Sequence, residues 1–169
     1  MKVPIIPADE TQRLMELYQL ALLDTPPQAR FDQLTQRASD YFQTPMAVIS
    51  LIDKERQWFL SKLGIEGTQT PRDEAFCAHT INEQSHMYVP DTWLDERFDD
   101  HPAVIDKPLI RSYLGIPLRG AQGYPVGSLC VTDKVPRVFT DRDIDVLRGI
   151  ANMVEAEFRR GGAPLETSD

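Results

Sequence analysis

The chain of 169 residues is long enough for one domain with a sizeable core and too short for two comfortable ones. Its net charge of −8 argues against a phosphate-backbone partner and against an anionic membrane surface, both of which call for a cationic footprint. Hydrophobic residues make up 41% and charged residues 26%; there is no long apolar run and no signal-like N-terminus, and the two cysteines lie far apart, which together predict an ordinary globular protein of the reducing cytoplasm.

An N-terminal helix is expected over 8–23, with Asp9 as its cap and Leu14, Leu17, Tyr18 and Ala21 as its apolar stripe. Thr25-Pro26-Pro27 stops it. A second helix from about Ala29 to Phe42 carries Phe31, Leu34, Ala38 and Phe42 at helical spacing. The near-continuous apolar run MAVISLID predicts a strand buried on both faces, and Asp53-Lys54 turns it into a second strand, RQWFLSKLG. GIEGTQTPRDE reads as a loop leading to a helix from about Glu74 to Ser85. A short strand, MYVPD, comes next.

Residues 91–108 hold many turn-formers and acids, and read as an ordered crossover with one helical turn. The hairpin IRSYLGIPLRGAQGYPVGSLCVTD follows. Its small residues, Gly115, Gly127 and Ser128, leave room for something to approach the sheet, either a helix or a ligand. Pro117 in an internal strand calls for a bulge. The last helix, 140–160, starts at Thr140, with Phe139 able to staple onto Ile144. Its Ile144, Leu147, Ala151, Val154 and Phe158 repeat 3-4-3-4, a spacing that serves either the chain's own core or a dimer seam. Residues 161–169, rich in small and polar types, read as a disordered tail. The order ααββαβ, crossover, ββα predicts an α+β fold in one domain, 1–160, with an antiparallel sheet covered by helices.

Residues able to carry chemistry are few. Cys77 stands near a predicted helix start, which favours the thiolate, but it also suits a small buried hydrophobe, as does Cys130. His79, Glu83 and His86 fall at i, i+4, i+7 and could face a metal together; a solvated polar face is the plainer reading. G-x-S-x-G, P-loop and G-x-G-x-x-G patterns are absent from the sequence.

The blocks AFCAHTI, YVPDTWLDERFDDHPAV, IRSYLGIPL and GYPVGSLCVTDKVPRVFTDRDIDVLRGIA, in that order, resemble a GAF domain of the bacterial sensory type found before histidine kinases, diguanylate cyclases and phosphodiesterases. The resemblance implies a profilin-like antiparallel sheet of roughly five to six strands. Terminal helices would lie on one face, and a small-molecule pocket with a helix and crossover on the other. Carried onto this chain, the pocket would involve Phe76, Cys77, Ile81, Asp91, Arg97, Phe98, Tyr113, Gly115, Leu118 and Cys130. The implied role is a non-catalytic sensor with an unidentified small-molecule ligand, no certain cofactor and no metal. The implied partners are a second copy through the terminal helices and a separate signalling effector. Cys77-Ala78-His79 replaces the Cys-His pair of bilin-binding members, and the cyclic-nucleotide motif of the mammalian phosphodiesterase domains is missing. Rival readings are a thiol enzyme or redox sensor using Cys77 and Cys130, as in the free methionine sulfoxide reductases, and a dimerisation scaffold with an empty pocket. For Arg97 the plain alternative is a salt bridge to Asp91 or Asp95.

Overall fold

The computed structural model describes residues 1–160; the C-terminal tail expected at 161–169 lies outside them. Helix α1 (Glu10–Gln19) is shorter than expected. Ala21 and Asp24 take left-handed backbone angles and turn the chain before the prolines are reached. The side chain of Asp9 makes no capping bond; the first turn is closed instead by Glu10 N–H donating to Pro7 O (3.2 Å). Helix α2 (Ala29–Phe42) buries Phe31, Thr35, Ala38 and Phe42 and ends on left-handed Gln43. Helix α5 (Asp141–Arg159) opens on a capping box: Thr140 Oγ accepts from Asp143 N–H, and the Asp143 carboxylate accepts from Thr140 N–H.

The strands are β1 (Met46–Ile52), β2 (Arg56–Leu63), β3 (Gln69–Pro71), β4 (Met87–Val89), β5 (Ser112–Arg119) and β6 (Pro125–Asp133). They form one antiparallel sheet in the order β3-β2-β1-β6-β5-β4. Strand β3 falls in the segment read as a loop. It has only three residues, so no alternation was there to read, and it exists because it pairs with Arg56–Trp58 at the sheet edge. Pro117 needs no bulge at its own position. Strand β4 stops opposite Gly115, so this neighbour asks Pro117 for no donor, and the register shift comes later, between Leu118 and Arg119.

The helix expected over 74–85 shrinks to α3 (Phe76–Thr80). Beyond it the chain tightens, with Asn82 N–H bonding His79 O and Glu83 N–H bonding Thr80 O, while the Asn82 amide bonds Ile5 O and Ala78 O. The i, i+4, i+7 face of His79, Glu83 and His86 therefore never forms. No metal-ligand cluster occurs among the described residues.

Two cores sit on the two sides of the sheet. Helices α1, α2 and α5 bury Leu17, Phe31, Leu147 and Val154 against Ile49, Leu60, Leu114 and Leu129. On the other side, α3 and the crossover, with its short helix α4 (Pro102–Ile105), bury Phe76, Phe98 and Val104 against Val48, Tyr113 and Cys130. All five members of the 3-4-3-4 repeat of α5 are buried in the chain's own first core. That spacing is thus satisfied by the sheet and by α2, where Phe158 meets Phe31, and needs no second copy. No described helix is long and apolar enough to cross a membrane.

Candidate functional site

Alternation along β5 and β6 sends Tyr113, Gly115, Ser128 and Cys130 to the side of α3 and the crossover. The space that Gly115 leaves is taken by the Tyr113 ring: a Cβ there would lie 2.3 Å from its hydroxyl. The space at Gly127 is taken by strand β1, since a Cβ would lie 1.9 Å from Ser50 O. The small residues of this hairpin thus admit the chain itself.

With its ring so placed, the Tyr113 hydroxyl becomes the centre of a buried polar cluster. It lies 2.6 Å from Thr80 Oγ1, 3.2 Å from Cys77 Sγ and 3.5 Å from Ser128 Oγ. Ser50, opposite Ser128 on β1, is buried with no hydrogen-bond partner for its hydroxyl among the described residues. Both cysteines are free and buried. Burial pushes the Cys77 thiol up, but the polar groups gathered around it, Cys130, Tyr113, Ser128 and Ser50, outweigh it and bring Cys77 down to about 7. The neighbouring Cys77 thiol, and then burial, hold Cys130 well above the usual thiol range. Burial, and then the negative charge that Cys77 can carry, push the Tyr113 phenol up.

An aromatic lid closes over this cluster. Phe76 of α3 stacks on Phe98 of the crossover, centroids 4.1 Å apart and planes 9° from parallel, with His101 edge-on to Phe76 at 4.8 Å. His101 Nδ1 accepts from Ala103 N–H (2.9 Å), so its proton sits on Nε2 and is donated to Glu74 O (2.6 Å). Burial holds that imidazole below its usual pKa, which keeps it neutral.

Seven of the ten anticipated positions converge here: Phe76, Cys77, Ile81, Phe98, Tyr113, Gly115 and Cys130. Asp91 and Arg97 stand at the rim, each already engaged. Asp91 accepts from Trp93 N–H and pairs with Arg111 (3.0 Å); the Arg111 guanidinium also lies over the Trp93 ring. Arg97 grips Asp95 through both carboxylate oxygens (3.0 and 2.7 Å) and holds that carboxyl below its ordinary pKa. Leu118 is a correction: it is buried in the core on the helix side, because it shares strand parity with Leu114 and Ile116 and is opposed to Tyr113. The residues missed are Thr80, Ser50 and His101. Ser50 did leave a signal, a lone hydroxyl within the otherwise apolar strand MAVISLI.

Two open depressions of about 570 Å³ flank the molecule. One is on the outer face of α2 around Arg37 and Tyr41; the other lies between Pro7, Asn82 and Arg119 and reaches Ile81 at the end of α3.

The sequence profile of the GAF domain matches residues 26–158. A cyclic di-GMP phosphodiesterase of Pseudomonas aeruginosa is 42% identical over 157 residues, covering 92% of this chain and 27% of that protein. The chain thus spans about a quarter of this curated relative's length. Among solved structures, the GAF domain of an Acinetobacter phosphoenolpyruvate-protein phosphotransferase is similar with a TM-score of 0.64 at 15% identity, covering 88% of this chain and 94% of that one. A type II free methionine-R-sulfoxide reductase from Thermoplasma acidophilum gives 0.64 at 12% identity, covering 79% and 92%. At such identities the likeness is one of fold alone.

Proposed function

The chain belongs to the GAF domain family, and on that premise we propose that it is a non-catalytic sensory module. It binds a small uncharged molecule between the sheet and the α3–crossover layer and passes the event to a signalling effector. The observation that carries this reading is the cluster around Tyr113: buried hydroxyls and thiols under a stacked aromatic lid, with Ser50 left unpartnered. Hydroxyls can orient a ligand, whereas among the described residues no unpaired charge faces the site to match a phosphate. The rim charges, Arg97 and Asp91, are consumed by Asp95 and Arg111. The identity to a cyclic di-GMP phosphodiesterase supports a role in regulating such an output. On this reading, the nucleotide itself is not what the pocket takes. The domain works as a homodimer through the outer ridge of α2 and α5, where Tyr41 and Met153 remain about half exposed.

Native mass spectrometry of the freshly purified protein, followed by thermal shift with phenol and indole against cyclic di-GMP and cyclic AMP, tests this. The neutral aromatics raise Tm by about 5–10 °C near saturation and the nucleotides do not. A shift produced only by the nucleotides would overturn the neutral-ligand reading. The rival thiol reading is separated by Cys77→Ser and Cys130→Ser: if either variant abolishes a measurable reduction of peroxide or methionine sulfoxide, the domain is an enzyme.

A further inference from the structure

The segment before α1 crosses the outside of the candidate site and is bonded to both of its walls. On the crossover wall, Lys2 N–H donates to Arg97 O (3.1 Å) and the Lys2 ammonium pairs with Glu96 (2.8 Å). On the α3 wall, Lys2 O lies 3.2 Å from His79 Nε2, and Ile5 O accepts from the Asn82 amide (2.8 Å). Between these anchors Pro4 is buried, while Val3, Ile5 and Ile6 stay exposed. The hold of this segment thus comes mainly from main-chain groups and two ion pairs, Lys2 with Glu96 and the Met1 amino group with Asp100.

Beneath the anchors lies the aromatic lid. His79 packs edge-on to Phe98 at 5.1 Å, and Phe98 carries the stack with Phe76. One short stretch of chain therefore ties the residue beside Phe98 to the helix that carries Phe76. The next element is tied to the same helix from its other end. Glu10 of α1 receives Arg13 and Arg72, with Arg72 just ahead of α3 and almost fully buried. Arg72 also donates to Asp53 O and Lys54 O, which fixes it to the β1–β2 turn.

We infer that residues 2–6 are a strap that holds the ligand site shut, hinged at the Glu10–Arg72 pair, so that opening the site releases the N-terminal arm. The inference rests on the ligand-site reading and names its regulation. Two features support it: the bonds of the strap lie at exposed positions, the kind that open locally without global unfolding, and the Tyr113 cluster beneath them is fully buried. Helix α5 is the rival route. It packs on the opposite face of the sheet and reaches the α3 side through Arg148, which bonds Ser85.

The buried thiols of Cys77 and Cys130 report opening without any ligand, through their rate of reaction with dithionitrobenzoate in native buffer. A variant lacking residues 2–6 reacts about tenfold faster, and Asn82→Ala about threefold, with the urea midpoint of each unchanged; Arg148→Ala reacts at the parental rate. Unchanged rates in both strap variants would overturn the inference. So would rates that rise only in proportion to lost global stability, or acceleration by Arg148→Ala alone. The ligand reading fails separately: a blank thermal-shift panel leaves the thiol rates as they are.

Discussion

The two cores of this domain share one sheet and differ in what they enclose. On the side of α1, α2 and α5, the core is aliphatic and aromatic, set on helices of 10 to 19 residues, and its buried polar side chains, Arg13, Glu16, Thr35 and Ser61, are each hydrogen-bonded within the chain. On the other side, two thiols and several hydroxyls are packed under a five-residue helix and a crossover. The first arrangement suits a scaffold, since apolar burial is non-directional and tolerates no competing partner for its atoms. The second depends on directional bonds among groups that could equally bond an incoming molecule. The contrast separates stability from responsiveness on the two faces of one sheet.

Substitutions on the two sides sharpen this difference. Leu147→Ala in the helix-side core leaves a cavity under a fully buried side chain and lowers stability by about 3 kcal/mol in urea unfolding, or roughly 10 °C in Tm. The rate of thiol labelling then rises only as far as the lost global stability dictates. Gly115→Ala drives a Cβ into the Tyr113 ring and costs about 2 kcal/mol. It also displaces the phenol from Thr80, so near-ultraviolet dichroism changes while the far-ultraviolet spectrum holds. Tyr113→Phe removes the shared hydroxyl and costs about 1–2 kcal/mol, and it weakens whatever ligand the thermal-shift panel finds. An unchanged ligand response in that variant would place the binding site away from Tyr113.

The smallest effect concerns the hinge. Arg72 and Arg13 hold the Glu10 carboxyl, despite partial burial, at about 2, below its unfolded value of 4.5. Its contribution is present above pH 4.5 and is lost as the pH falls toward 2. After solvent screening this amounts to about 1 kcal/mol. Asp53 and Asp95 are shifted in the same direction, so the measurement is a difference: Glu10→Gln shows a shallower loss of stability across that window than the parent.

Legibility followed the strength of local pattern. Helix α5, with its Thr140 cap and long 3-4-3-4 stripe, and both long hairpins were readable because each repeats a period several times. Strand β3 and the short α3 were not, because a three-residue edge strand and a one-turn helix are set by their partners. The same limit applied to the site. The motif located Phe76, Cys77, Phe98, Tyr113 and Cys130 together, yet Leu118 needed only strand parity to be placed on the other face. The space at Gly115 was visible in sequence, but its occupant was not, since a neighbouring Tyr113 fits such a gap as well as a foreign molecule does. Likewise, the seam of α5 has one spacing and two geometric uses, and only the packing tells them apart.

The Tyr113 ring lying back over Gly115, with Phe76 and Phe98 stacked above, acts as an internal competitor for the site. A molecule entering this site must first displace it, so its measured affinity equals the intrinsic one scaled by the fraction of time the competitor is out. If the site is out of the closed arrangement about 1% of the time, binding is weakened about a hundredfold. The resting packing thereby sets a detection threshold. Variants that loosen the stack lower it without touching a single ligand contact.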